Sequence, residues 1–348
     1  MPILANQRIE QWLDGERAEP VLDPALPIVD PHHHLWDLRT ATIEPLLSFE
    51  QKVYLCEEMS AEIAAGGHNV VQTVFAQCMA FYRADGPEAL RCVGETEFAH
   101  GIAAMSRSGV YGPMRLCTGI FTSADLRAGK DVEHVLLAHM AASPNFRGIR
   151  SAVPRNLDGA VMDGAFMDGI AMLARYGLSL DHYSPDYERL NDLVRLANAQ
   201  PDLTIIVNHL GGRANPNASS EEFARWRACI DAVAACPNVV IKLGGAQQRV
   251  GPWEPPFHMH RRPTPIGSEE LCELVYPGYQ HALQAFGPTR CMFESNFPVD
   301  KECVSYRTLW NTFKRIARKA ALSEHEITQV FSATAARVYR LDLGAPAK

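Results

Sequence analysis

The chain has 348 residues, of which 47% are hydrophobic and 21% are charged, and its formal net charge is −7. This composition excludes a disordered chain, and the acidic balance argues against a nucleic-acid partner. No apolar run approaches the ~18 residues of a membrane helix, and the nine cysteines include no CxxC pair. We therefore expect a cytoplasmic protein with buried, reduced thiols and no membrane partner.

The chain begins with a polar, proline-containing stretch at 1–26, which we expect to form an arm on the outside of the protein or on a partner. A short apolar segment then runs into Asp30, His32 and His34. Alternate side chains of a strand share one face, so these three groups should lie together. Two imidazoles at this spacing can hold one metal ion, or can bracket a carbonyl group and a water molecule. A surface histidine tract is the alternative, but an internal run after an apolar strand disfavours it.

Short apolar segments alternate with amphipathic ones along the rest of the chain. After the first strand at about 27–34 and a long loop at 37–56, further strands are predicted at 70–76, 114–121, 146–150, 178–183, 203–209, 238–243 and 291–293. Helices are predicted at 57–65, 87–105, 132–142, 165–176, 187–199, 221–235, 268–286, 306–319 and from 323 onward.

Eight strands alternating with helices predict an α/β protein, namely a distorted (β/α)8 barrel of the TIM type whose site lies at the carboxyl ends of the strands. We expect one barrel domain at 27–341, with a tail at 342–348. A proline-rich segment at 244–267 follows strand seven and is predicted to be a lid-like loop. Polar side chains stand at the predicted strand ends, as a functional barrel mouth requires: Gln77, Arg150, His182, His209 and Asn296.

Five segments, taken in order, resemble the amidohydrolase superfamily, and most closely its branch of pyrone-dicarboxylate and sugar lactonases. They are Val29-Asp-Pro-His-His-His-Leu-Trp36, Asn145-Phe-Arg-Gly-Ile-Arg150, Ile205-Ile-Val-Asn-His-Leu-Gly-Gly212, Asn238-Val-Val-Ile-Lys-Leu-Gly-Gly245 and Arg290-Cys-Met-Phe-Glu-Ser-Asn-Phe-Pro-Val-Asp300. The resemblance spans about residues 27–341 and implies that His32, His34 and His209 bind a metal or a carbonyl group.

The sequence departs from this family at Asn296, which stands where many relatives carry an aspartate. A carboxamide accepts no proton at neutral pH, so Asn296 cannot be the general base. The base would then be a metal hydroxide, or else Asp300, His182 or Glu294. One divalent metal, Zn²⁺ or Mn²⁺, and a metal-independent reaction are both compatible with these residues.

The leading hypothesis is a hydrolase that opens a lactone or a related activated cyclic ester from aromatic or sugar catabolism. The catalytic set would be His32, His34, His209 and Asn296 with Asp300 or His182, and an anionic, cyclic substrate would contact Gln77, Arg150, Tyr183, Lys242, His258 and Arg261. A metal-dependent decarboxylase of an unsaturated acid is the first alternative, and a non-catalytic small-molecule-binding barrel is the second. The N-terminal arm makes a homodimer plausible.

Overall fold

The computed structural model describes residues 3–39, 49, 51–151, 164–212, 221–245 and 262–344. Its centre is a sheet of eight parallel strands that curls into a nearly closed barrel, in the order β1-β4-β5-β6-β7-β8-β9-β10. The barrel strands are β1 (Ile28–His33), β4 (Val70–Ala76), β5 (Arg115–Thr122), β6 (Phe146–Ser151), β7 (Ser179–His182), β8 (Ile205–Val207), β9 (Val239–Leu243) and β10 (Cys291–Phe293). The predicted (β/α)8 barrel is confirmed.

Helices surround the barrel, and the longer ones bury an apolar face. Their bounds are α1 (Ile3–Leu13), α2 (Cys56–Gly66), α3 (Val93–Arg107), α4 (Glu133–Ala142), α5 (Gly164–Arg175), α6 (Leu190–Ala199), α7 (Glu221–Ala234), α8 (Ser268–Phe286), α9 (Tyr306–Lys319), α10 (Glu324–Thr328) and α11 (Thr334–Val338). A capping box begins α10, where Ser323 and Glu326 exchange hydrogen bonds. All nine cysteines are free and buried, as expected.

The last side of the barrel closes just beyond the strand ends. The backbone amide of His34 donates to the carbonyl of Phe297 at 2.7 Å, and that of Asn296 donates to the carbonyl of His32 at 2.8 Å. These bonds join the end of β1 to the segment after β10. They therefore bring the first and last segments of the predicted site together.

One predicted loop and one helix start differ from the structure. The prediction of a loop at 37–56 is wrong near its two ends. There, Trp36–Asp37 (β2) pairs antiparallel with Val53–Tyr54 (β3). The helix predicted from Pro87 begins at Val93, after a short 3₁₀ turn. The N-terminal segment contains α1 and lies on the barrel's outer layer, where the indole of Trp12 donates to the carbonyl of Arg262 at 2.9 Å. None of the described helices is long and apolar enough to cross a membrane.

The floor of the barrel is closed by the residues around α11, at the end opposite the strand tips. Tyr339 is fully buried among inward-facing apolar side chains and stacks on Phe121 at a ring-centroid distance of 5.8 Å. Its hydroxyl donates to Oδ1 of Asp181 at 2.7 Å. The C-terminal segment is thereby connected to a buried carboxylate inside the barrel.

We predict that Tyr339→Phe lowers the free energy of unfolding by about 1–3 kcal/mol, because one hydrogen bond to a buried carboxylate is lost while the ring remains. The measurement is the urea midpoint followed by fluorescence. Tyr111→Phe is the matched control, because Tyr111 is only partly buried and its change should leave the midpoint unaltered. Equal midpoints for Tyr339→Phe and the wild type would contradict the prediction.

Candidate active site

The two histidines at the end of β1 converge inside the barrel mouth. His34 donates from Nδ1 to the carbonyl of Ala76 at 2.9 Å, which leaves its Nε2 as an acceptor. That Nε2 lies 3.3 Å from Nε2 of His32. Burial is the largest cause that holds the pKa of both imidazoles well below the usual value, so both rings are neutral.

Asp30 does not share the face of these histidines, and the prediction that it would was wrong. Its pairing with β4 is irregular between Asp30 and His33, and this irregularity breaks the strict alternation of side chains. The Asp30 carboxylate instead accepts hydrogen bonds from the hydroxyl of Tyr306 at 3.1 Å and from the amide of Ser295 at 2.9 Å. Asp30 thus joins β1 to α9 and to the segment after β10.

A fully buried carboxylate, Glu294, joins two of the imidazoles. Its Oε1 lies 2.6 Å from Nδ1 of His209 and also accepts from the His209 backbone amide at 3.2 Å. Its Oε2 lies 2.9 Å from Nδ1 of His32. The contact with Oε1 favours the His209 tautomer that carries the proton on Nδ1, so that Nε2 of this ring is an acceptor and faces Nη2 of Arg150.

Glu294 was considered from the sequence only as one possible base, whereas the structure makes it the centre of the cluster. The signal was present in the sequence. Glu294 directly follows the apolar strand β10, where a carboxylate at a barrel strand end indicates function. The resemblance drew attention to Asn296 instead, because that residue occupies the position of the aspartate in relatives.

Two glycines after β9 make room for this cluster. A Cβ atom on Gly244 would lie 2.3 Å from Cγ of Glu294, and one on Gly245 would lie 2.5 Å from Nδ1 of His209. Gly245 also has a φ of 63°, which is strained for other residues. Positions 244 and 245 therefore have no room for a side chain, because Glu294 and His209 lie against the backbone there.

Lys242 lies below the histidines with its ammonium group fully buried. Its Nζ is 2.8 Å from Oδ1 of Asp181, 3.1 Å from Oδ1 of Asn208 and 3.2 Å from Nδ1 of His32. It also lies 4.2 Å from the centre of the Phe121 ring. Burial lowers the pKa of Lys242, while the carboxylate of Asp181 opposes that shift. Lys242, which was predicted to bind substrate, therefore lies below the histidines and contacts other residues of the protein.

Arg150 is the second cationic side chain next to the histidines, after Lys242. Its Nη2 is 3.4 Å from Nε2 of His209, its Nη1 donates to the carbonyl of Gln77 at 2.9 Å, and its guanidinium lies 4.6 Å from the centre of the Tyr183 ring. Nε of Arg150 is buried and has no hydrogen-bond partner among the described residues. The predicted substrate-binding residues Gln77, Arg150 and Tyr183 therefore lie together at one side of His209.

The structure does not bring every predicted residue to the cluster. The amide of Asn296 donates to Oδ1 of Asp300 at 2.9 Å, so these two residues contact each other. Asp181 faces Lys242 inside the barrel, and strand alternation turns His182 to the opposite side of β7. His182 is buried, which lowers its pKa to about 4, and neither ring nitrogen has a partner among the described residues. His258, Arg261 and most of the lid-like loop lie outside the described residues.

The cluster also has the donor atoms of a metal site. One ligand atom each from His32, His209 and Glu294 lies within 4.8 Å of the other two. The 3.3 Å between Nε2 of His32 and Nε2 of His34 resembles the ~3.4 Å that separates two nitrogens at ~2.1 Å from one tetrahedral zinc ion. Histidine and carboxylate ligands suit Zn²⁺ and Mn²⁺. These residues therefore fit a divalent metal.

Known proteins share this arrangement of the chain. Residues 118–341 match the family model Amidohydro_2, described as amidohydrolase. The uncharacterized protein y4mH of Sinorhizobium fredii is 32% identical over 335 residues, which is 90% of this chain and 98% of that protein. An L-fucono-1,5-lactonase of Burkholderia multivorans is 32% identical over 146 residues, 41% of this chain and 45% of the lactonase. The crystal structure of an amidohydrolase from Burkholderia multivorans with bound zinc is 24% identical, covers 90% of this chain and 99% of its own, and has a TM-score of 0.67.

We predict that Gly244→Ala displaces the Glu294 carboxylate, because the new methyl group cannot occupy a site 2.3 Å from Cγ of that residue. The unfolding midpoint should fall by the equivalent of about 1–3 kcal/mol, as for other overpacked buried sites. Gly101→Ala is the control, since a Cβ at this exposed position of α3 meets nothing within 4 Å. The control should be neutral or stabilising by up to ~1 kcal/mol, and an equally mild Gly244→Ala would contradict the argument.

Proposed function

The chain belongs to the amidohydrolase family, and we propose that within this family it opens a lactone or a related activated cyclic ester by hydrolysis. The observation that carries the proposal is the buried Glu294 carboxylate joined to His32 and His209 beside the Arg150 guanidinium. This arrangement places a proton acceptor and a hydrogen-bond donor for the ester carbonyl oxygen next to each other at the barrel mouth. The lactonase relative acts on this substrate class by its name, which supports the choice of ester over amide.

The proton acceptor would be the imidazole of His209 rather than Asn296. The contact of its Nδ1 with Glu294 directs the ring proton toward the carboxylate and leaves a lone pair on Nε2. The negative charge of Glu294 then stabilises the imidazolium that forms when Nε2 takes a proton from water. Oδ1 of Asp300 accepts a hydrogen bond from the side-chain amide of Asn296. This bond favours a role for Asp300 in positioning the segment after β10.

In this reaction water gives one proton to Nε2 of His209 while its oxygen bonds to the ester carbonyl carbon. The carbonyl electron pair moves to the oxygen, and Arg150 donates a hydrogen bond to that developing negative charge. Collapse of the tetrahedral intermediate breaks the bond between the carbonyl carbon and the ring oxygen. The ring oxygen then takes the proton from His209, so the products are a hydroxy acid and the original enzyme.

Arg150 also explains why we expect an anionic, cyclic substrate. Its buried guanidinium has no carboxylate hydrogen-bond partner among the described residues, and burial lowers its pKa. A carboxylate on the substrate ring could form a bidentate contact with this guanidinium. Tyr183 offers a ring face next to it, on which a flat substrate can stack.

The same residues can hold a divalent metal, and we propose His32, His34 and His209 as its nitrogen ligands with Glu294 as a further carboxylate. Such an ion would polarise the ester carbonyl and lower the pKa of water. With such an ion bound, His209 would serve as a ligand instead of as the proton acceptor, while the groups that orient the three imidazoles stay the same. Glu294 orients His32 and His209, and Ala76 orients His34.

The function is tested by hydrolysis of a panel of sugar lactones and pyrone carboxylates, followed by acid release with a pH indicator. We expect turnover by the wild type, with carboxylated lactones preferred over neutral ones. Glu294→Gln should lower kcat/KM by about 10²–10⁴-fold, because the amide no longer compensates the imidazolium. Glu222→Gln, an exposed change in α7, is the matched control and should leave kcat/KM unaltered.

Three results would contradict this proposal. Full turnover by Glu294→Gln, together with loss of turnover in Asp300→Asn, would identify Asp300 as the general base. Release of CO2 from the carboxylated substrates, without ring opening, would identify a decarboxylase instead. Binding of a lactone without any turnover would favour the non-catalytic barrel.

Metal binding is tested separately from activity by titrating chelator-treated protein with Zn²⁺ or Mn²⁺ and following the thermal midpoint. We expect a saturable rise, because an ion that binds only the native state stabilises it by mass action. The double variant His32→Ala/His34→Ala should lose this rise. His281→Gln is the control, since this half-buried histidine pairs with Asp231 on the outer helices. A rise that persists in the double variant would place the ion elsewhere.

A further inference from the structure

A second polar cavity lies at the opposite end of the barrel, where the strands begin. It has a volume of about 330 Å³ and is bordered by the first residues of β5 and β6 and by the segment after α11. Four arginines line it: Arg107, Arg115, Arg147 and Arg340. The reaction proposed above uses none of them, since its residues stand at the carboxyl ends of the strands.

The wall of this cavity carries an excess of positive charge. Asp342 is the one acidic residue among its described lining residues, and its Oδ1 accepts the backbone amide of Gly344 at 2.8 Å. Four guanidinium groups against one carboxylate leave a net charge of +3. The whole chain has a net charge of −7, so this concentration of cations runs against the overall balance.

Backbone carbonyl groups orient two of these arginines, Arg115 and Arg147, without neutralising them. Arg147 donates from Nε to the carbonyl of Tyr339 at 2.6 Å and from Nη1 to that of Pro144 at 2.7 Å. Arg115 donates from Nη1 to the carbonyl of Pro113 at 2.8 Å. Among the described residues, no carboxylate forms a hydrogen bond or an ion pair with any of the four. Burial lowers the pKa of Arg147, and the nearby charge of Arg340 adds to the effect.

Guanidinium groups that share one cavity and outnumber its carboxylates are suited to a multivalent oxyanion. Each guanidinium can present two parallel donors to phosphate or carboxylate oxygens, and the protein already orients those of Arg115 and Arg147. A preorganised site avoids part of the entropy cost of binding. A monovalent ion would leave most of the +3 charge uncompensated.

We propose that this cavity is a binding site for a small multivalent anion, either a phosphate ester or a polycarboxylate. A neighbouring cavity of about 400 Å³ shares Arg107 and Asn145 with it and adds His100 and Ser108. The two spaces together accommodate an organic group as well as the charged one. The site is separate from the lactone site, so its occupancy does not depend on the proposed reaction.

The test is isothermal titration of the full-length protein with inorganic phosphate and with citrate, at an ionic strength held constant with sodium chloride. We expect saturable binding of at least one of the two, and the one that binds identifies the class. The double variant Arg107→Gln/Arg115→Gln should weaken this binding at least tenfold while leaving lactone turnover unaltered. Both side chains are at least partly exposed, and their loss removes two charges without opening the core.

Two further variants make the result specific. Arg91→Gln removes an exposed arginine outside the cavity and should leave the affinity unaltered. Arg150→Gln removes the cation of the barrel mouth and should also leave it unaltered, which excludes binding at the lactone site. The proposal is overturned if neither anion binds saturably, or if the double variant binds as tightly as the wild type.

Discussion

The buried ion pair between Lys242 and Asp181 is the constraint on which the barrel interior depends. An ammonium group and a carboxylate with no solvent exposure are costly to desolvate, and removal of one partner would leave an uncompensated charge. The pair is stabilised by Asn208 and by the Tyr339 hydroxyl, so strands β7 and β9 and the C-terminal segment meet at one point. Its ammonium group also contacts His32, which connects the barrel floor to the mouth.

The charges of the mouth balance in the same way. Arg150 and Lys242 supply two positive charges, and Asp181 and Glu294 supply two negative ones, while the neighbouring imidazoles are neutral. These four charged groups therefore balance one another at the barrel mouth.

Much of the fold could be predicted from the sequence, because apolar segments of strand length alternate with amphipathic ones throughout. The boundaries that failed have local causes. A two-residue strand such as β2 has too few residues to show a pattern, and the irregular pairing after Asp30 follows from closure against the segment after β10. Both the pairing of β2 with β3 and the closure of β1 against the segment after β10 join residues that are far apart in the chain, so the local sequence pattern does not indicate them. Cysteine burial was predictable, since each thiol stands among apolar neighbours.

The site was predictable in its histidines, whereas Glu294 was only one of several candidate polar groups after the last strand. His32, His34 and His209 stand at strand ends, and the rule for barrels is sufficient to place them together. Glu294 and Asn296 are two residues apart beyond the same strand, and their side chains reach different partners, because Asn296 has a φ of 54° and turns toward Asp300. Only the three-dimensional path of the chain decides which of the two reaches the imidazoles. The carboxylate that reaches the imidazoles is thus Glu294, two residues before Asn296, where Gly244 leaves space for it.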